Sequence, residues 1–425
     1  MSAPGSDTQL AIEALATSSA YIDNSFLLLF SGMVVVFMAA GFCMLESGLV
    51  RAKNAATISL KNISLFAIAG IAFYVVGYRL MYDGVDGGWI GTFGVWSPDA
   101  LDSPGGDVAS AADWFFQMAF VATAASIVSG TLAERVSLRP FLIFVLILTA
   151  LIYPIVGAWK WGEGWLHIMG FQDFAGSTLV HSVGGWAALT GAIIIGPRIG
   201  KYDDTGRLIR PFPGSNLPLA ALGTFILWFG WFGFNGGSQL AAGTITDMSA
   251  VGKIMANTNI AAAGGVVAAL IASEIVFKKA DLTFVLNGAI GGLVAITASP
   301  LEPAMWQSLL IGGVAGIIVV VMVPVLDRLR LDDVVGAIPS HLLCGIFGTL
   351  VVPLCLVSEG HTILSQLGVQ FLGVGAVGLF VGGTSTLIWL ALKYTMGLRP
   401  SVEDEMRGLD QSELGMQAYP DFYGR

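Results

Sequence analysis

Apolar runs of similar length recur along the whole chain, separated by short polar segments. They lie near 26–45, 58–81, 114–133, 139–158, 178–197, 217–237, 254–277, 282–298, 305–326, 341–358 and 365–394. A helix rises 1.5 Å per residue, so each run is long enough to cross a hydrocarbon layer about 30 Å thick, the eighth only marginally. The pattern predicts an all-α integral membrane protein of eleven transmembrane helices. The segment before the first run, 1–25, has no basic stretch ahead of an apolar one and does not read as a signal peptide.

The polar segments test that count, because Lys and Arg accumulate in cytoplasmic loops. Arg51 and Lys53 join helices 1 and 2, and the next loop has neither residue type. Arg135 and Arg139 follow helix 3, and only Lys160 follows helix 4. Arg198, Lys201, Arg207 and Arg210 follow helix 5, and only Lys253 follows helix 6. Lys278 and Lys279 then alternate with an empty link, Arg328 and Arg330 with another, and Lys393, Arg399, Arg407 and Arg425 close the chain. Sixteen of the twenty basic residues thus share one side. An odd number of helices follows, with the N-terminus outside and the C-terminus inside. Eleven divides into five, five and one, and two five-helix halves would run in opposite senses, as in an inverted repeat. The domains expected are an extracytoplasmic segment 1–25, a membrane domain 26–396 and a cytoplasmic tail 397–425.

Composition agrees. Of 425 residues, 55% are hydrophobic and 12% charged, against about 25% charged in a soluble domain. The 55 glycines suit closely packed membrane helices. A net charge of -9 argues against a nucleic-acid partner, which needs a basic face. Cys43, Cys344 and Cys355 sit in apolar stretches with no metal-ligand spacing and read as small core residues. The loop after helix 2 carries Asp83, Asp86, Asp99, Asp102, Asp107 and Asp113, either a field that concentrates external cations or simply a solvated outer loop.

Ionisable groups in membrane spans are costly and mark function. His181 and His341 stand near the starts of helices 5 and 10, in DFAGSTLVHSVGG and GAIPSHLLCG, 160 residues apart and in corresponding places of the two halves. Each alone could be a hydrogen-bonded core residue. Together they could line a central path, since neutral imidazole both donates and accepts. A zinc site would need more ligands than are at hand. His167 and His361 read as surface residues. The aromatics cluster in three places: Phe116 and Phe120; Trp159, Trp161 and Trp165; and Trp228, Trp231 and Phe234, with Ser238 close by. Such residues form either an interfacial belt or a cation site with aromatic faces and a hydroxyl. Asp173 is either a helix cap or a holder of positive charge. No nucleophile–base constellation, metal cluster or nucleotide loop is present, so neither an enzyme nor a cofactor is expected.

MLESGLVRAKNAATISLKN, GTLAERV, DFAGSTLVHSVGGWAALTGAIIIGPR, LWFGWFGFNGGS and DDVVGAIPSHLLCGIFGTL, in this order, resemble the ammonium transporter family (Amt/Mep/Rh) over essentially the whole chain. The resemblance implies homotrimers in the plasma (inner) membrane with one pore per protomer. It implies an ammonium recruitment site at Phe120, Trp161 and Ser238 with Asp173 beside it, a phenylalanine gate of Phe120 and Phe234, and a pore pair of His181 and His341 that passes ammonia or relays its proton. Trp161 and Ser238 are similar to the Amt branch. Electrogenic transport is implied, with a nitrogen regulatory protein P-II as a partner at the tail. GLDQSELGMQAYPDFYGR departs from the family's tail motif at Leu414, where His is frequent. The alternative is an ammonium sensor that signals through a further C-terminal domain.

Overall fold

The computed structural model describes residues 4–101, 105–209 and 211–420. Asp102, Arg210 and Arg425, named above for their charge, lie outside the described residues. Eleven apolar helices follow one another: α1 (Leu15–Leu49), α2 (Ala52–Tyr82), α3 (Ser110–Thr131), α4 (Leu138–Ile168), α5 (Ser177–Ile195), α6 (Leu217–Gly237), α7 (Ile245–Phe277), α8 (Leu282–Ile296), α9 (Met305–Arg328), α10 (Ile338–Leu354) and α11 (Ile363–Thr395). Nine of these described helices are long and apolar enough to cross a membrane, and α8 and α10 are shorter. Two short helices, α12 (Val402–Arg407) and α13 (Leu409–Leu414), close the described chain. The one β pairing among the described residues is a bridge between Tyr202 and Leu208.

The helical backbone that leads into α1 begins at Pro4, well ahead of the apolar run, and is interrupted at Phe37. α7 likewise starts early, at Ile245, where Thr244 and Asp247 form a capping box. α4 carries a π-type turn at Leu148–Ile152, just before Pro154. Proline has no N–H to return to the preceding turn, so the ladder there is free to widen.

Burial sorts the helices. In α3, 78% of the apolar window is enclosed, against 33% in α7, α9 and α11. α3 therefore stands at the centre and those three at the rim. Large apolar side chains point outward from the rim and from α6, among them Leu379 and Leu387 of α11 and Phe225 of α6. Faces this apolar, on several helices at once, match a hydrocarbon surround rather than water.

One end of the bundle carries the basic segments, and a buried ion network joins four of them. The Arg51 guanidinium Nε donates to Glu134 Oε2 at 2.6 Å, and Arg198 approaches the same carboxylate at 3.3 Å. Arg198 is bidentate to Asp332, at 2.8 and 2.9 Å, and Lys201 reaches Asp332 at 2.7 Å and Asp327 at 2.8 Å. Arg135 donates to the Asp332 carbonyl at 2.6 Å and the Gly196 carbonyl at 2.7 Å. Burial alone would raise the Asp332 carboxyl, but Arg135, Arg198 and Lys201 hold it well below the usual carboxylate range. Burial opposes Arg198 and Arg51 at Glu134 in the same way, and there too the cations win.

The C-terminal helices fasten onto this end. Asp410 accepts from the Ala56 and Thr57 amides at 3.0 and 2.7 Å, in the first turns of α2. Glu413 accepts from the Leu138 amide that opens α4, at 3.1 Å, and Glu405 from the Ile199 amide at 2.9 Å. A carboxylate at a helix start satisfies amides that have no partner within the helix and meets the positive end of its dipole.

Asp332→Asn leaves three cations facing a neutral amide in a buried site, and should cost about 3–5 kcal/mol at neutral pH. The carboxyl is depressed in the fold, so its contribution is complete above about pH 4 and fades as the unfolded chain takes up protons below that. Thermal melting in detergent, followed by tryptophan fluorescence, should show a large gap between variant and wild type at pH 7 that narrows toward pH 3.

Candidate functional site

Two helices that meet at the centre begin in the same unusual way. α5 opens with a π-type turn, Ser177–Ser182, and α10 with another, Ile338–Leu343. A left-handed glycine precedes each: Gly176 at φ 105° and Gly336 at φ 80°. Only glycine takes that conformation without a Cβ penalty. An aspartate three residues earlier then collects the free amides. Asp173 accepts from Gly176 and Ser177 through Oδ1, at 3.2 and 2.8 Å, and from Thr178 and Leu179 through Oδ2, both at 2.9 Å. Asp333 accepts from the amides of Gly336 and Ile338, at 3.2 and 2.7 Å, and from the Thr131 hydroxyl at 3.0 Å. The order Asp-x-x-Gly-x-x-x-x-His therefore occurs twice at an offset of 160: Asp173, Gly176, His181 and Asp333, Gly336, His341.

The same offset relates the contact between the two helices. A Cβ on Gly185 would lie 2.6 Å from Leu342 Cβ, and one on Gly345 would lie 2.3 Å from the Ser177 carbonyl oxygen. Those glycines let the helices cross closely, and the two histidines meet as a result. Nδ1 of His341 is 3.2 Å from Nδ1 of His181. His181 is 0% exposed and His341 3%. The His181 ring stacks on Trp231, centroid to centroid 4.9 Å, and Trp231 Nε1–H is held by the Thr297 hydroxyl at 2.8 Å. Nε2 of His181 has no protein partner.

From the pair, aromatic rings continue in both directions. Phe234 lies 5.4 Å from His181, and Phe120 stacks on Phe234 at 3.8 Å and 15°. Trp161 meets Phe120 edge to face at 6.3 Å. On the other side, Phe42 is 6.1 Å from His341. Six rings, Trp161–Phe120–Phe234–His181–His341–Phe42, thus form a row contributed by α4, α3, α6, α5, α10 and α1. Phe120 and Phe234 are sealed, at 1% and 0% exposed, whereas Trp161 is half-buried, so the row opens at the Trp161 end. Ser238, one turn after Phe234, is half-buried and donates its hydroxyl to the Phe234 carbonyl at 2.8 Å, leaving the oxygen's lone pairs free to accept.

The seven residues singled out in the sequence are thus joined by contacts, except that the Asp173 carboxylate is taken up by amides and touches the row through its backbone: Trp161 Nε1–H donates to its carbonyl at 3.2 Å. The other aromatics separate from the row. Trp159 and Trp165 pack on Trp89, and Trp228 stacks with outward-facing Phe225. Phe116 leans on Phe120 at 4.7 Å. His167 is exposed beside Lys160, and His361 is half-buried away from the row. The three cysteines are free, and among the described residues no group of three or more His, Cys, Asp or Glu could hold a metal ion.

Residues 25–419 match the model of the Ammonium Transporter Family. The chain belongs to that family. It is 42% identical to ammonium transporter Amt2 of Archaeoglobus fulgidus, over 93% of this chain and 87% of that one. Among solved structures, it is similar to a protein named Sensor Amt Protein at 37% identity and a TM-score of 0.88, covering 93% of this chain and 98% of that one. Mep2 of Candida albicans matches at 26% identity and a TM-score of 0.82, over 95% and 92%. In this ammonium transporter family member, neither Asp333 nor Phe42 stands out by hydropathy. Asp333 could have been found from the repeated Asp–Gly–His spacing; Phe42, inside an apolar run, carries no such signal.

Asp173→Ala strips the acceptor from four buried amides and should lower stability by about 2 kcal/mol or more. Hydrogen exchange read by mass spectrometry should speed up locally over 174–182. Unchanged exchange there would remove the capping role.

Proposed function

We propose that this chain is an electrogenic ammonium transporter whose path follows the row of rings from Trp161 to His341. The observation that carries the reading is the Phe120–Phe234 stack lying against a buried imidazole pair. A sealed aromatic stack bars water and hydrated ions. An imidazole pair beyond it offers a small polar molecule both a donor and an acceptor.

Magnitudes decide which species crosses. A bare cation inside an apolar pore costs from about 3 to over 10 kcal/mol. An aromatic face returns only about 0.5–2 kcal/mol. The ion is therefore recruited but not conducted whole. Ammonium is held at the outer mouth by Phe120, Trp161 and Ser238, with Asp173 setting their frame. It loses its proton at the Phe120–Phe234 gate, and ammonia passes His181 and His341 while the proton moves separately. Asp173, His181 and His341 are the groups proposed to handle that proton.

The same reading has eleven spans in two inverted halves of five plus one, with the N-terminus outside and the tail 397–425 in the cytoplasm. Its support is the alternation of basic segments and the repeated Asp–Gly–His spacing. Residues 1–25 then lie on the outer side and 26–396 form the membrane domain. Three-copy assembly in the plasma membrane, and a P-II protein at the cytoplasmic face, belong to this reading on family likeness alone.

Purified protein in liposomes on a solid-supported membrane should give a sustained current after an ammonium pulse, absent with potassium or sodium, that decays faster at higher protein density. Binding of ammonium with only a small, density-independent charge displacement would mean a sensor instead. In the same assay His181→Ala should reduce the current about a hundredfold or change the charge carried; a normal ammonium current would sink the histidine assignment. Trp161→Leu should forfeit about 1 kcal/mol of cation attraction and raise the half-saturating concentration roughly fivefold, with the maximal current less affected.

A further inference from the structure

One buried carboxylate is left unused by the path above. Glu46 lies four residues after Phe42 on α1, so it shares the face that presents Phe42 to His341, displaced about 6 Å toward the basic end. It is 1% exposed. Oε2 accepts from the Asn62 amide at 3.1 Å and the Ser129 hydroxyl at 2.8 Å, while Oε1 has no partner. Oδ1 of Asn62 has none either. Glu46 and the segment leading into α10 flank the same glycine, Gly130. A Cβ on Gly130 would lie 3.5 Å from Glu46 Cδ and 2.5 Å from Val335, which directly precedes the Gly336 turn into α10.

Lys61 of α2 is the matching cation. It is buried, its Nζ lies 4.3 Å above the Phe141 ring, and its one protein acceptor is the Ser129 carbonyl at 3.5 Å. The other groups acting on the pair are Cys43 of α1, Glu413 of the tail and Arg135. A carboxylate and an ammonium this poorly satisfied are expensive as mere scaffold, because apolar residues of like size would cost less. A buried carboxylate oxygen with no hydrogen-bond partner is free to accept a proton.

We propose that Glu46 is the inner proton-relay group of the transporter, charge-balanced by Lys61 and positioned by Asn62 and Ser129. This rests on the electrogenic reading above. A proton reaching the histidine pair as imidazolium passes through an intervening water to Glu46 Oε1. The imidazole is left neutral and the carboxylate becomes the acid. The acid then gives the proton to ammonia leaving the histidines, forming ammonium, or to cytoplasmic water, forming hydronium. Only N–H and O–H bonds change, and Glu46 returns to the carboxylate that Lys61 balances.

Two readouts on the same proteoliposomes test this: current on a solid-supported membrane, and entry of neutral ammonia followed by the alkaline shift of an enclosed pH dye. Glu46→Gln should lose at least tenfold in current while ammonia entry persists, and Glu46→Asp should recover part of the current. If Lys61 left alone unfolds the protein, the Glu46→Gln/Lys61→Met double variant removes both charges and should show the same split. Wild-type current in a Glu46→Gln protein overturns the proposal. So does joint loss of current and ammonia entry in a folded variant, or failure of both variants to fold, since the pair would then be structural. A wild-type protein without current would instead overturn the transporter reading itself.

Discussion

A buried amide hydrogen must find an acceptor, and the centre of this molecule is organised by two aspartates that meet that demand. Asp173 and Asp333 each take up the first amides of a helix that begins inside the protein. The widened turns they stabilise place one histidine apiece. Without those acceptors, the starts of α5 and α10 would have to move toward water, and the contact at Gly185 and Gly345 could not bring the rings together. The histidine pair and the close helix crossing therefore share one electrostatic origin.

Much of the architecture was legible because membrane helices obey a length rule. The run 217–237 coincides with α6, and most other boundaries agree within a few residues. The early starts of α1 and α7 were not legible, because their first turns are too polar for hydropathy to register. The π-type turns were invisible for another reason: side-chain periodicity constrains the buried face, not the local pitch. His181 and His341 could be found as rare ionisable groups at matching places. Phe120, Trp161, Ser238 and Phe234 come from three helices far apart in sequence, so only likeness to a family pointed to them as one cluster. Glu46 and Lys61 escaped notice because each lies at the edge of an apolar run, where a charge ordinarily reaches the interface.

The basic end shows how a bundle of long helices is kept in register. Glu134 and Asp332 bridge four separate inter-helix segments through Arg51, Arg198, Lys201 and Arg135. Asp410 and Glu413 then cap α2 and α4 from the far end of the chain. The tail is thereby fastened to the starts of the helices that carry Lys61 and Trp161.

The bond between the two histidines joins like atoms, Nδ1 to Nδ1. One shared hydrogen serves both rings, so in the neutral pair one ring carries its proton on Nδ1 and the other on Nε2. The two remaining nitrogens therefore differ: one is a lone pair, the other an N–H. The dyad has a direction, like an arrow that can be drawn either way but never erased. A molecule holding both a lone pair and hydrogens, as ammonia does, fits each end of the arrow in turn. A cation with no lone pair can answer only one. On the proposed ammonia path, discrimination at this pair rests on the parity of a single hydrogen rather than on the width of a hole.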